Sequence, residues 1–261
     1  MSASKEAAPQ TALCRYDVDS IFYRERNLVE DLIGKASFVD VFASQLLGRQ
    51  PTAPQMQLIE AVLVTLMEHG LTPSAISARL VYSSSPENIQ AGVAAGLLAV
   101  GSQFVGTMEE AAVLLAQIVA APDGTTQASA IAARYRTQRA PVPGFGHHLH
   151  KPDDPRATAL LALARKNGVA GDQCNALALL SGAVDRVASR HITINATGAV
   201  AAILGDIGIP ARLMRGFAVL ARAAGLVAHI AEEQETPSGR FIWSLVDGAM
   251  TQPVGASPEA N

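Results

Sequence analysis

With 261 residues, 49% of them hydrophobic and only 16% charged, the chain can bury a substantial core as one large domain or two small ones. A formal charge of −3 and a pI near 6.1 remove the electrostatic case for nucleic acid or an anionic membrane as partner. The mean hydropathy of +0.22 is apolar for an isolated chain, an excess that a subunit interface would cover.

In chain order, residues 1–14 are expected to be disordered, and MSASKEAAPQ has no apolar run behind a basic start, so no signal peptide is expected. Ser20 to Tyr23 reads as a short extended piece before a helical Asn27–Leu32, and Ser37–Leu47 as a helix broken at Gly48 and Pro51. From Pro54 to His69, Leu58, Ile59, Val62, Leu63, Leu66 and Met67 recur at helical spacing; Gly70 stops that helix and Pro73 starts the next. Ile89–Val100 and Met108–Val119 read as helices separated by GSQFVGT, and Thr126–Arg139 as an amphipathic helix. Arg156–Asn167, Gln173–Arg190, Gly198–Leu204, Ala211–Glu233 and Arg240–Asp247 follow, before a tail (251–261) expected to be disordered. There is no alternating strand pattern of useful length and no internal repeat, so the class is all-α. The most apolar stretch, Leu213 to Ile230, carries Arg215, Arg222 and His229 and is read as a core helix rather than a membrane span. Cys14 and Cys174 lie far apart with no CxxC spacing, which argues against a disulfide framework or zinc site and fits a reducing cytoplasm.

The chemistry concentrates in GFGHHLHKPDDPR, Gly144 to Arg156. Gly144 and Gly146 permit backbone conformations closed to other residues and close approach to a ligand. His147 brings a group that exchanges protons near neutral pH. Asp154-Pro155 suits a turn or helix start, and Arg156 offers a two-pronged donor for a carboxylate. On the Ala211–Glu233 helix, Arg215, Arg222 and His229 recur every seven residues and share one face. Buried cations there require acidic partners or an anionic ligand. Pairing with Glu232, Glu233 or Asp206 is preferred for Arg215 and His229, and ligand binding for Arg222. His148 and His150 beside His147 do not make a metal site without a Cys, an acidic cluster or an HExxH pattern, so no metal is expected.

This segment resembles the citrate synthase family, whose pattern is G-[FY]-G-H, a Lys four residues on, then D-P-R. The stretches Glu68–Gly106, INATGAVAAILGDIGIP and VLARAAGLVAHIAEE extend the resemblance over most of the chain from about Asp19. In length the chain is most similar to the compact citryl-CoA lyases. The resemblance implies a large helical domain (15–105 and 198–261) with an inserted small one (106–197), an active site in the cleft between them, and a homodimer or higher oligomer.

It further implies a CoA-thioester substrate of the 3-hydroxy-3-carboxy acyl class, such as citryl-CoA, cleaved to acetyl-CoA and oxaloacetate. No cofactor would be bound permanently; coenzyme A enters as part of the substrate. His147 would contact the hydroxyl or carbonyl oxygen, Arg156 and Arg222 the carboxylates, and His69 the oxaloacetate portion, with Arg240 reaching a carboxylate within the chain or across the dimer. The plain alternative for His69 is a partner of its helix dipole. Gly144, Phe145, Gly146 and Lys151 would touch the CoA moiety.

Two positions depart from the family pattern. Phe104 stands where G-P-x-H-G has the histidine that stabilises the thioester enolate, and Thr197 where N-V-D has its proton-shuttling aspartate. Each loss removes a group worth roughly 10²–10⁴ in rate, which argues against efficient citrate synthesis. Thr197 or the Gly101–Gly106 backbone is left to steady the enolate, with Asp153, Asp154 and Glu109 as spare acids and Phe104 suited to an apolar substituent on a different acyl group. A lyase is the first reading, a non-catalytic acyl-CoA or keto-acid binder the second, and a residual citrate synthase the last.

Overall fold

The computed structural model describes residues 10–101 and 107–250. A small antiparallel sheet opens the chain: β1 (Cys14–Tyr16), β2 (Ile21–Tyr23) and β3 (Arg26–Asn27), with Tyr16 opposite Ile21 and Tyr23 opposite Arg26. Cys14 therefore belongs to a strand, and the Leu13 carbonyl accepts hydrogen bonds from Arg24 N–H and the Gln45 side chain. The expected disorder of 1–14 does not hold for Leu13 and Cys14, because β2, the residue after it and the first helix give them partners. Residues 1–9 and 251–261 lie outside the described residues.

After a five-residue π-helical turn (Leu28–Leu32) the described residues form eleven helices. They are α1 (Phe38–Leu47), α2 (Ala53–Met67), α3 (Pro73–Ser84), α4 (Ile89–Leu98), α5 (Thr107–Val119) and α6 (Gly124–Thr137). Then come α7 (Pro155–Lys166), α8 (Asp172–Ala188), α9 (Ala196–Ile207), α10 (Ala211–Glu235) and α11 (Gly239–Met250). Their ends follow local chemistry. Thr52 and Thr72 cap α2 and α3 through their hydroxyls, each with Pro in the first turn, and Asp154 caps α7 ahead of Pro155. Gly48 and Gly208 close α1 and α9 in the left-handed conformation.

Two cores form. The first joins the buried faces of α1, α2, α7, α9 and α10 with the start of α5, around Leu58, Ile59, Ile203, Leu204 and Phe217. The second joins α5, α6 and α8 with Phe145, around Leu115, Leu177 and Leu180. Within 106–197, α7 thus turns Ala157, Leu160 and Ala164 into the first core while α6 and α8 build the second. Helix α9 runs between them: Ala199 to Leu204 are all at most 1% exposed, with Ala202 in the second core and its neighbours in the first. A helix apolar all round is stable only when enclosed on every side.

Helix α10 is, among the described residues, long and apolar enough to cross a membrane. Its buried stripe instead packs on α2, α3, α4 and α5 and contains His229 and Glu233, the pattern of a core helix.

The N-terminus of α9 meets the glycine loop backbone to backbone. A Cβ on Gly198 would lie 2.5 Å from the Gly144 carbonyl oxygen, and one on Gly144 2.9 Å from the Gly198 Cα. Neither backbone can yield without shifting a helix or the loop. Gly198→Ala is expected to lower unfolding stability by about 1–3 kcal/mol, measured by urea denaturation, whereas Gly216→Ala, with open space around it, should stay close to wild type.

Candidate active site

The glycine loop is sewn to the segment before α9. Gly146 N–H donates to the Thr193 carbonyl at 2.7 Å, Asn195 N–H to the Gly144 carbonyl at 3.0 Å, and Asn195 Nδ2 to the Gly146 carbonyl at 3.0 Å. Gly144 and Gly146 both have positive φ, at 86° and 81°, so the sharp path they take is one that glycine accepts without strain.

That path delivers His147 half-buried, with its Nδ1 accepting the backbone N–H groups of Leu149 (3.1 Å) and His150 (3.0 Å). A nitrogen that accepts two amides carries no hydrogen, so in the neutral ring the proton sits on Nε2. Nε2 lies 3.3 Å from Arg156 Nη2, which is also a donor. Two N–H groups therefore face one another without an acceptor for either among the described residues, an arrangement suited to receiving an oxygen atom.

Arg156 is held by Asp154, which is fully buried. Asp154 Oδ1 accepts Arg156 N–H and Nε–H, both at 3.0 Å; Oδ2 accepts Nη2 at 2.8 Å and the Ala196 amide at 3.1 Å. Burial alone would raise this carboxyl, but the hydrogen bonds and charge of Arg156, with the Ala196 amide, hold it below its usual 3.8. The other face of the guanidinium reaches His69, Nη1 lying 3.5 Å from Nδ1.

His69 follows the C-terminus of α2, and its ring centre is 6.3 Å from that of His147. Although exposed as a residue, it is locally desolvated, and this together with Arg156 and then Arg222 pushes its ring below the usual 6.5. Arg222 on α10 completes the cluster. Burial lowers its guanidinium, nearby Glu68 opposes this, and Nη1 is buried with no hydrogen-bond partner among the described residues. A guanidinium stays charged at any physiological pH, so the orphaned Nη1 calls for an anion.

The other expected residues divide clearly. Thr197 stands in the first turn of α9, its hydroxyl donating to Asn195 Oδ1 at 2.7 Å and lying 3.2 Å from the Thr107 hydroxyl. Its proton is thus already committed. Lys151 is exposed on the loop, while Phe145 is buried in the second core. Beside Phe145 and Gly146 opens a groove of about 210 Å³, with Arg136 and Ile192 on its walls. Arg240 is exposed at the start of α11, which packs on the Ser83 end of α3, the end away from the His69 turn.

The spare acids are all engaged: Asp154 with Arg156, Asp153 with His191 at 3.1 Å, and Glu109 with Arg215 at 2.6 Å. Arg215 is thus acid-paired, but by Glu109 on α5 rather than Glu232, Glu233 or Asp206. His229 sits between Arg79 and Glu68, and it is Arg79 that takes Glu232 and Glu233. Asp206 instead accepts the amides of Gly171, Gln173 and Cys174 at the start of α8. His148 and His150 both stack on His147, with ring centres 4.7 and 4.3 Å away. No metal-binding cluster occurs among the described residues. Phe104 lies outside the described residues.

Burial, His150 and Arg156 outweigh Asp154 and push the His147 ring, too, below 6.5. Both rings are neutral in the folded chain near pH 7, while the unfolded chain takes up their protons from about 6.5 downward. Stability must therefore fall as pH drops below that value. His191 has the opposite sign: Asp185 and Asp153 raise it, so its contribution is present below 6.5 and fades as pH rises through its raised value. Urea unfolding between about pH 5.5 and 7 should show stability increasing with pH, and the double variant His69→Gln/His147→Gln should flatten that slope; an unchanged slope would contradict a neutral pair.

The description "Citrate synthase, C-terminal domain" belongs to the family model that matches residues 7–243. Among solved structures, citryl-CoA lyase from Hydrogenobacter thermophilus is 31% identical, with a TM-score of 0.84 and 98% of each chain covered. ATP citrate lyase from Methanothrix soehngenii, solved with citrate and coenzyme A, shares the fold at 18% identity and a TM-score of 0.80, over 99% of this chain and 44% of that one. A citrate synthase of Acidithiobacillus ferridurans is 26% identical over 200 residues, 74% of this chain and 50% of the relative. The chain spans about half the length of the curated relatives it matches. With the loop motif, the helical architecture and the family match all in agreement, the chain belongs to the citrate synthase family.

Proposed function

We propose that the protein is a carbon–carbon lyase that cleaves a 3-hydroxy-3-carboxy acyl-CoA such as citryl-CoA to acetyl-CoA and oxaloacetate. The observation that carries this reading is the convergence of His147 Nε2–H and Arg156 Nη2 on one point, with the orphaned Nη1 of Arg222 in the same neighbourhood of His69. Similarity to a citryl-CoA lyase over nearly all of both chains supports it.

In this reading the arginines hold the carboxylates, and the Nε2–H of His147 steadies the hydroxyl oxygen as it loses its proton and becomes the ketone of oxaloacetate. The neutral His69 ring supplies a lone pair for that proton. The C–C bond electrons pass to the thioester as an enolate, which we set against the positively polarised first turn of α9 beside Thr197. The enolate carbon takes a proton from solvent to give acetyl-CoA, and His69 returns the hydroxyl proton to solvent, so the cycle balances. The groove beside Gly146, with Arg136 on its wall and Lys151 on the neighbouring loop, suits a CoA arm and its phosphates. The cleft between the two cores is where we locate the whole substrate.

The test is direct. Citryl-CoA is added and oxaloacetate release is followed through malate dehydrogenase. His147→Ala should lower kcat/KM by roughly 10²–10⁴ with folding intact. Tight CoA binding without turnover would favour a non-catalytic binder, a reading that the committed Thr197 proton supports. Rapid synthesis of free citrate from acetyl-CoA and oxaloacetate would favour a citrate synthase.

Thr197→Asp puts a carboxylate in the first turn of α9. If the enolate sits there, this variant should raise deuterium wash-in at the acetyl methyl of acetyl-CoA by about tenfold or more, read by mass spectrometry. Exchange no faster than in wild type would remove Thr197 from the site.

A further inference from the structure

Glu68 ends α2, and its carboxylate folds back onto the turn that follows. Oε1 accepts the backbone N–H of His69 at 2.7 Å and that of Gly70 at 2.5 Å. Burial would raise the carboxyl, but these two amides and His229 hold it below its usual 4.5, so it is ionised and acts as an acceptor. Oε2 lies 3.0 Å from Nε2 of His229, buried on α10 about 160 residues later in the chain.

Which nitrogen of His229 carries the proton is decided on its far side. Arg79, itself only 3% exposed on α3, directs Nε and Nη2 at Nδ1 from 3.0 and 2.8 Å. A guanidinium has donors only, so Nδ1 is the lone-pair nitrogen and the hydrogen is carried by Nε2, the nitrogen beside Glu68. Arg79 cannot swing away, because Nη1 is fixed by buried Glu233 at 3.0 Å and Nη2 also reaches Glu232. Nε2 has no other partner among the described residues, and its N–H lies off the straight line to Glu68. The same turn meets α10 a second time: a Cβ on Gly225 would collide with the Met67 carbonyl oxygen.

We propose that His229, acting through Glu68, is a positioning residue for substrate binding: it sets the turn that carries His69 toward the carboxylate-binding guanidinium groups. The inference rests on the lyase reading for what His69 binds, but the relay itself is a property of the free protein. Arg79 fixes the tautomer, His229 offers its N–H to Glu68, and Glu68 holds the amides of His69 and Gly70. The catalytic chemistry touches none of Arg79, His229 or Glu68 directly.

The experiment compares His229→Leu, which deletes the donor, with His229→Gln, which keeps an N–H toward Glu68. In the substrate-free protein, the backbone amide of His69 should shift in 1H–15N spectra of His229→Leu and return toward its wild-type position in His229→Gln. Oxaloacetate affinity, measured by calorimetry, should fall about tenfold in His229→Leu while CoA affinity stays within about twofold, and adding His69→Ala should cost nothing further. Additive losses, or equal effects of Leu and Gln, would overturn the relay, as would an unmoved His69 amide. If wild type binds no oxaloacetate, the lyase reading falls, and the amide spectra alone decide the relay. Should His229→Leu fail to fold, Glu68→Gln weakens the same link from a half-exposed position and is read in the same spectra.

Discussion

A single buried carboxylate organises the site. Asp154 has no solvent exposure, and an isolated ion there would carry a desolvation penalty of several kcal/mol. It is stable because four N–H groups surround it, three from Arg156 and one from the first residue of α9. The same bonds start α7, dock α9 against the loop and aim the Arg156 guanidinium between two imidazoles. Remove that anion and the cation it steers has no fixed direction, and the meeting of two helix N-termini loses its tie.

The second constraint is steric. Helix α9 is enclosed on all sides, so its position is set by both cores, and its N-terminal turn presses on Gly144 without room for a side chain on either glycine. The backbone of the loop is therefore registered against a helix whose own position is fixed by burial in both cores. His147 is tied to that helix through the hydrogen bonds of Gly146 and Asn195. Packing forces, remote from any ligand, thus set the direction of one N–H bond.

Much of this was legible in the residues. Pro73 and the Asp154-Pro155 step announced helix starts, and glycines announced stops, so the expected helices lie within a few residues of the observed ones. The glycine loop carried its own chemistry in order. What the residues concealed depends on distance along the chain. Arg79 and its acids are about 150 positions apart, and Glu109 and Arg215 are 106 apart, so no local spacing could pair them. The strands at 14–27 are two or three residues long, too short for an alternating pattern to emerge. The commitment of the Thr197 proton to Asn195 is likewise a matter of rotamer, which side-chain identity alone leaves open.

The imidazole of His147 is oriented by main-chain amides, not by neighbouring side chains. Its tautomer is therefore indifferent to what residues 149 and 150 carry, provided the loop keeps its course. Leu149 projects into solvent with 70% of its surface free. The exposed side chains of the loop can consequently drift in sequence while Nε2 of His147 keeps its aim, because aim and surface are written on separate layers of the same short loop.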